Sequence, residues 1–357
     1  MRGEPMVEER IREVFAGAGA EGLLHAVPVG GGPGVEVTAA DAGPGVEVTA
    51  ADAGPGVEVT AADAGPGVEV TAVGAGPGVE EVAAVAGPGV EEVAVGADEP
   101  VVIASVFKVL VVLEFARQVA DGQLDPRERV RVTAGDRLGG WGTAGCADDV
   151  ELSLRDLAFF AISVSDNSAA DLLLARVGLD TVRLLAEELG LARTRIVGGP
   201  RDVLESMLAE VGARDEAEFA RRYPALPDDR KRRLSVLDTQ RTNAATPREI
   251  TRLLRLVWRD EAGPPEACAQ VRELMARQVF RHRLVSGFPD EVTVAAKTGT
   301  LPGLHMEAGV VRYPDGGRYA VSVFARTREL AASRTAVDSA IGAAARIAVD
   351  FLRGKGL

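Results

Sequence analysis

The sequence predicts an α+β fold, on three observations. Apolar residues at helical spacing over Val7–Phe15 lead into an extended apolar run, Leu23–Val29. Helical spacing then marks the segment that begins at Ser105 and the stretches Leu152–Val164 and Ser168–Val177. Period-two runs return at Val292–Ala296, Ala308–Tyr313 and Tyr319–Ala325. With 357 residues, 46% hydrophobic and 26% charged, the chain can bury a full core and is too apolar for wholesale disorder.

After the first strand, six copies of an eleven-residue unit, GPGVEVTAADA, begin at Gly32, Gly43, Gly54, Gly65, Gly76 and Gly87, the last three drifting. Each copy sets a Gly-Pro-Gly turn before a Val-Glu-Val-Thr alternation that suits a very short strand. The unit offers only Val and Ala for burial. Residues 32–97 are therefore expected to be a flexible low-complexity segment, with a ligand-binding or assembling repeat as the alternative. A second extended run, Pro100–Ala104, follows, which places the repeats at the tip of a β-hairpin. Closing a longer flexible loop costs only about 0.6 kcal/mol per doubling of its length, so the domain made of 1–31 and 98–357 can carry the insert.

The net charge of −13 belongs to that insert, which holds eleven acids and no base; without it the chain has 42 acids against 40 bases. No basic field recommends nucleic acid or an anionic membrane, and no uncharged apolar run reaches 18 residues. The expected partner is a small molecule and the expected state a monomer. The opening MRGEPMVEERIREVF is charged rather than a basic-then-apolar leader, so no signal peptide is expected. Cys146 and Cys268 cannot make a disulfide framework, and His25, His282 and His305 form no HExxH, so no metal and no cofactor are expected in a reducing, cytoplasmic setting. Gly17-Ala-Gly19-Ala-Glu-Gly22 matches a dinucleotide fingerprint, but it follows a helix where the fingerprint needs a strand.

The chemistry is marked by lysine. The chain has 36 Arg and only four Lys: Lys108, Lys231, Lys297 and Lys355. Lys108 stands three residues after Ser105, at the start of a segment with helical spacing, so the two face the same way. A serine there has backbone N–H groups beside its oxygen, and a lysine whose pKa is lowered by burial can accept its proton. Alone, the pattern is better read as a capping serine and an exposed lysine. Ser165-Asp166-Asn167 sits on a tight link between helical stretches Leu152–Val164 and Ser168–Val177; alone it reads as a cap. Lys297-Thr298-Gly299-Thr300 ends the run Val292–Ala296; alone it is a strand end.

Together, and in this order, SxxK, SDN and KTG resemble the signatures of the class A β-lactamases and penicillin-binding proteins, the penicillin-recognising serine hydrolases. The 60 residues between Ser105 and Ser165 suit that family, and the similarity covers roughly 6–31 and 98–357, running on through Thr246-Pro247 and the carboxy-terminal strands and helix. It implies a β-lactamase-like fold: an antiparallel sheet flanked by helices plus an all-helical subdomain, at about residues 115–285. It also implies that Ser105 is the acylated nucleophile, Lys108 its proton acceptor, and Ser165 the relay to the leaving nitrogen. Asn167 would bind the substrate's side-chain amide and Thr298 its carboxylate. Lys297 would hold Ser165 and favour an anionic substrate, and the backbone N–H groups of Ser105 and Thr300 would form an oxyanion hole. Arg283 sits where some members place a second cation, and is as well read as an exposed surface arginine. Trp141 is read as a wall of the site or as core packing.

Two departures stand out. The E-x-x-L-N loop whose glutamate activates the deacylating water is missing. Asp202 and Glu205, in Thr194-Arg-Ile-Val-Gly-Gly-Pro200-Arg-Asp202-Val-Leu-Glu205, are the nearest candidates, each also readable as a helix-start carboxylate. A charged stretch through Asp238 makes this region longer than in compact members. The absent leader is the second departure, since enzymes guarding a cell wall are exported. The expected function is a β-lactamase-type serine hydrolase opening a β-lactam through a Ser105 acyl-enzyme. The alternatives are a peptidase, esterase or transacylase on another acyl substrate, and a sensor acylated once. Deleting Gly43–Ala75, three whole copies of the repeat, should leave covalent labelling by a penicillin nearly unchanged; a large loss would show that the repeats matter to activity.

Overall fold

The computed structural model describes residues 4–30, 48–51, 70–73, 82–84, 92–330 and 334–354. Its centre is a five-stranded sheet in the order Thr293–Leu301, Leu304–Arg312, Arg318–Thr327, Ala20–Pro28, Val93–Val95, antiparallel throughout. Helices cover both faces, and the strand alternation sorts side chains between two cores. Val311, Val321 and Val323 face the helices Glu4–Gly17 and Arg334–Leu352, meeting Val7, Ile11, Val337 and Ile341. Val310, Ala320 and Phe324 face the helical part, whose core surrounds Leu110, Leu113, Leu157, Leu173, Leu253 and Val271. A sheet covered on both sides has nearly continuous burial, as Leu304–Arg312 shows at every residue but the last.

The middle of the helical part is the helix Lys108–Ala120, in which every residue from Lys108 to Ala116 is buried. A helix apolar all round can only be an interior one. Its neighbours start where capping chemistry directs. Ser153 and Asp156 cap each other at Leu154–Ser163, Asp166 accepts from Ala169 N–H at the start of Asn167–Val177, and Thr246 caps Pro247–Trp258 with proline at its first position. The charged stretch before Asp238 forms the helices Glu216–Arg222 and Asp228–Arg232, held down by a small cluster of Val211, Leu234 and Val236.

Two expectations are corrected. The strand carrying Lys-Thr-Gly does not end there; it runs on to Leu301 and turns at Pro302-Gly303, with Gly303 at a φ of +72°. The partner of the first strand is Val93–Val95, inside the sixth repeat copy, with Leu24 opposite Val95 and Ala26 opposite Val93. The run after it pairs elsewhere, Val101–Val102 with Ala244–Ala245. Of the other copies, Val48–Ala51, Val70–Val73 and Val82–Ala84 form a separate three-stranded sheet; the expected flexibility of the insert concerns residues outside those described. Gly22, the last glycine of the apparent dinucleotide fingerprint, lies within the first strand, where a Cβ would fall 2.1 Å from the Phe15 ring.

The carboxy-terminal helix approaches the turn Leu284–Gly287 so closely that a Cβ on Gly342 would lie 2.5 Å from the Arg283 carbonyl oxygen and 2.8 Å from Gly287 N. Neither neighbour is a flexible chain end. Gly342→Ala should therefore lower unfolding stability by about 1–3 kcal/mol in a denaturant titration, the usual cost of overpacking; an unchanged midpoint would show that this seam yields.

Candidate active site

Ser105 lies on the 3-10 turn Ala104–Phe107, which runs straight into the helix beginning at Lys108. In a 3-10 turn residues three apart eclipse, which sets Lys108 above the serine. The residue before Ser105, Ala104, has a φ of +39°, and Ser165 one of +59°. A non-glycine residue held in that region costs about 1–3 kcal/mol, and both of these flank the same cleft.

Lys108 and Lys297 are fully buried. Lys108 Nζ donates to Ser165 O at 2.7 Å, Asn167 Oδ1 at 2.8 Å and Asp166 O at 3.2 Å, and lies 3.4 Å from Ser165 Oγ. Lys297 Nζ donates to the same Oγ at 2.9 Å and to Thr298 O at 2.8 Å. One hydroxyl therefore joins two amines that come from opposite sides of the cleft. Burial pulls the Lys108 pKa from 10.5 to about 7, against the opposing charges of Asp166 and Asp171. Burial, and then the positive charge of Lys108, push Lys297 well below the ordinary lysine range. Near neutral pH Lys108 is thus divided between an ammonium and an amine able to take a proton.

The Ser-Asp-Asn link is set by its central residue. Asp166 is fully buried, caps the following helix, and accepts from Thr143 N–H at 2.6 Å. That bond ties down the loop Gly140-Trp141-Gly142, where a Cβ on Gly142 would meet Asp166 Oδ2 at 2.3 Å. Asn167 spans the cleft, accepting from Lys108 and donating to Gly139 O at 2.9 Å. Across from it, Gly299 lets the serine turn come close: a Cβ there would be 2.8 Å from Met306 Cγ and 3.2 Å from Ile103 O.

Arg283 is 4% exposed, so it is no surface residue. Its guanidinium donates to Gly299 O and Met306 O at 2.8 Å each, to Asp338 Oδ1 at 2.6 Å, and to Thr300 Oγ1 at 2.8 Å. It clamps two sheet strands to the carboxy-terminal helix and brings a positive charge to Thr300. Three further residues that carried no sequence signal support the lysine strand. Gln278 Oε1 accepts from Thr298 N–H at 2.6 Å, and its amide donates to buried Glu307. Burial raises the Glu307 pKa. His305 Nδ1 lies 2.8 Å from Asp338 Oδ1.

Two cavities meet at Ser105. The larger, about 410 Å³, is polar: Ser165, Asn167, Thr298, Thr300, Arg283, His305 and Arg334 line it with Trp141, which is 69% exposed and stands 6.5 Å from the Phe280 ring. Trp141 is therefore part of the mouth and not of the core. The smaller cavity, about 170 Å³, shares Ser105, Asn167 and Thr300; its other walls are Pro200, Val203, Leu204 and Met207 of the helix Pro200–Val211, together with Ala104, Phe107, Leu301, Thr242 and Asn243. Asp202 and Glu205 are exposed and line neither cavity; Asp202 instead accepts from Gly199 N–H at 2.7 Å, at the start of that helix. The structure thus brings together every expected site residue except these two.

A serine turn, a Ser-Asp-Asn link and a Lys-Thr-Gly strand closing on one cleft between a sheet and a helical part define the class A type of penicillin-recognising serine protein. The chain belongs to the beta-lactamase enzyme family, whose profile matches residues 81–352. It is 29% identical over 265 residues to the beta-lactamase regulatory protein BlaB of Streptomyces cacaoi, covering 70% of this chain and 85% of that one. Among solved structures it is similar to a beta-lactamase from Sphaerobacter thermophilus DSM 20745, with a TM-score of 0.65 at 20% identity over 97% of both chains. PBP-A gives 0.63 at 16% identity, over 98% of this chain and 96% of that one. At those identities the likeness shows the fold.

With only four lysines in the chain, each Cε resonance of a lysine-labelled sample is assignable by substitution. The Lys108 signal should titrate with a midpoint near pH 7 in place of 10.5. A midpoint above about 9 would make Lys108 a charged structural residue and remove it as a proton acceptor.

Proposed function

We propose that the chain opens a β-lactam, or a closely related amide, through an acyl-enzyme on Ser105, and that this acyl-enzyme is long-lived. The observation that carries the proposal is the meeting of two buried lysines at the Ser165 hydroxyl beside Ser105. Neutral Lys108 takes the Ser105 proton as Oγ bonds to the carbonyl carbon. The oxyanion forms between the N–H groups of Ser105 and Thr300, where each donor contributes on the order of 3–4 kcal/mol in acyl transfer. As the C–N bond breaks, the leaving nitrogen takes the Ser165 proton, and Ser165 recovers one from an adjacent lysine. Arg283, through Thr300, and Arg334 give the larger cavity a positive field suited to a substrate carboxylate.

Deacylation needs a base that activates water, and no carboxylate among the described residues lines the smaller cavity. In the larger one Asp338 is already paired with Arg283 and His305. Acylation is therefore fully equipped and hydrolysis is not. A chain that stays acylated reports that a β-lactam has been present, and likeness to a regulatory relative supports the same reading.

Intact-protein mass spectrometry after mixing with benzylpenicillin should show one adduct with the mass of the whole penicillin, slow to clear, and none on Ser105→Ala. Rapid clearance with many rounds of hydrolysis would overturn the long-lived acyl-enzyme. Labelling that survives Ser105→Ala would overturn the assignment of the nucleophile.

A further inference from the structure

The proposed reaction makes no use of the insert, whose described strands all fall at one place in the repeated unit. Val48–Ala51, of the copy beginning at Gly43, and Val70–Val73, of the copy beginning at Gly65, occupy its sixth to ninth positions. Val82–Ala84 and Val93–Val95, of the copies beginning at Gly76 and Gly87, occupy the seventh to ninth. The first two strands pair in parallel with like positions matched: Val48 lies opposite Val70, Thr49 opposite Thr71 and Ala50 opposite Ala72. One unit is thus a strand whose partner is another copy of itself. A pairing rule carried by the unit does not distinguish copies in one chain from copies in another.

The repeat sheet also has room to grow. Val70–Val73 is its middle strand, and among the described residues no strand pairs with the outer side of Val48–Ala51, of Val82–Ala84 or of Val93–Val95. An unpaired edge presents free N–H and C=O groups and is a template for another chain. Neither lysine, proline nor an acid, which guard such edges, stands within any of these strands. A sheet of three strands, none longer than four residues, is marginal by itself and gains from every like strand added to it. We propose that the repeat strands join those of a second copy of this chain, edge to edge with like positions matched, so that the protein self-associates through its insert. This replaces the monomer expected from the sequence and is independent of the acylation of Ser105. Charge opposes the contact: residues 32–97 hold eleven acids and no base, and Glu47 and Glu69 stand just before the two parallel strands.

Sedimentation velocity of the full chain tests this, from about 5 to about 100 µM, the range in which unpaired strand edges meet. The weight-average mass should rise with concentration to about twice the monomer mass or more, as mass action requires of a self-associating chain. The rise should be larger in about 1 M NaCl than in about 0.1 M, because the screening length falls from roughly 10 Å to roughly 3 Å and the like charges cease to repel. Thr49→Pro together with Thr71→Pro removes a ladder N–H from each of the paired strands. That variant should stay at the monomer mass in both salts, with the thermal unfolding midpoint of the folded body unchanged. Thr49→Val with Thr71→Val keeps the strands and should associate like the parent. Deletion of Gly43–Ala75 should also give a monomer, and it decides alone should the proline variant fail to fold. A parent chain that stays at the monomer mass throughout would overturn the proposal. So would association that the deletion retains, which moves the contact to the folded body, or association that weakens in the higher salt, which makes it a pairing of opposite charges.

Discussion

Two lysines withdrawn from water share one hydroxyl, and much of the architecture exists to make that tolerable. An ammonium placed in a protein interior without partners costs several kcal/mol. Lys108 is compensated by the carbonyls of Ser165 and Asp166 and by Asn167, and Lys297 by Ser165 Oγ and its own strand. All of these partners but the strand carbonyl of Thr298 come from one tight link, which explains why Ser165 is held in a left-handed conformation: the turn must aim both a carbonyl and a hydroxyl into the same cleft. The compensation is incomplete by design of the chemistry, since burial still wins for Lys108 and leaves it near the midpoint of its titration.

The second constraint is the seam between the sheet and the helical part. Ser105 arrives on a helix start and Lys297 on a strand, so the cleft exists only while those two elements stay in close register. Gly299 gives the serine turn room against the strand, and Arg283 ties that strand to its neighbour and to the helix Arg334–Leu352 through Asp338. Gly287 and Gly342 allow the helix to come near enough for that ion pair. A change far from Ser105, at the helix seam, is therefore felt at Thr300 through one guanidinium.

The sequence was legible where chemistry is written in short spans. Ser105 and Lys108 are one turn apart, and Ser165 to Asn167 and Lys297 to Thr300 are contiguous, so their order and residue types located the site. Helix starts at Ser153, Asp166 and Thr246 carried local capping signals. What escaped is long-range. Gln278 supports Thr298 from 20 residues away and Asp338 meets Arg283 from 55, and neither pair has a local pattern. The burial of Arg283 could not be told from a surface charge for the same reason. The hairpin partner was misplaced because Val93 and Val95 were counted as repeat. Their drifted copy is where the repeat becomes fold: both valines are buried against the first strand, and the preceding Glu92 contacts His25 and Arg248.

In the proposed reaction, acylation and deacylation draw on separate parts of this molecule. The two lysines lie in the buried core of the cleft, each held by two or more neighbours. The far side of Ser105 faces the helix Pro200–Val211, whose Asp202 and Glu205 are exposed and whose Pro200, Val203, Leu204 and Met207 line the smaller cavity. Exchanging one residue of that wall alters what can sit beside the acyl ester without disturbing the lysines, because no described bond joins that wall to either one. Under the proposed function, a chain of this fold keeps its reaction with β-lactams and loses turnover through a change on one helix face, the one that is apolar beside Ser105.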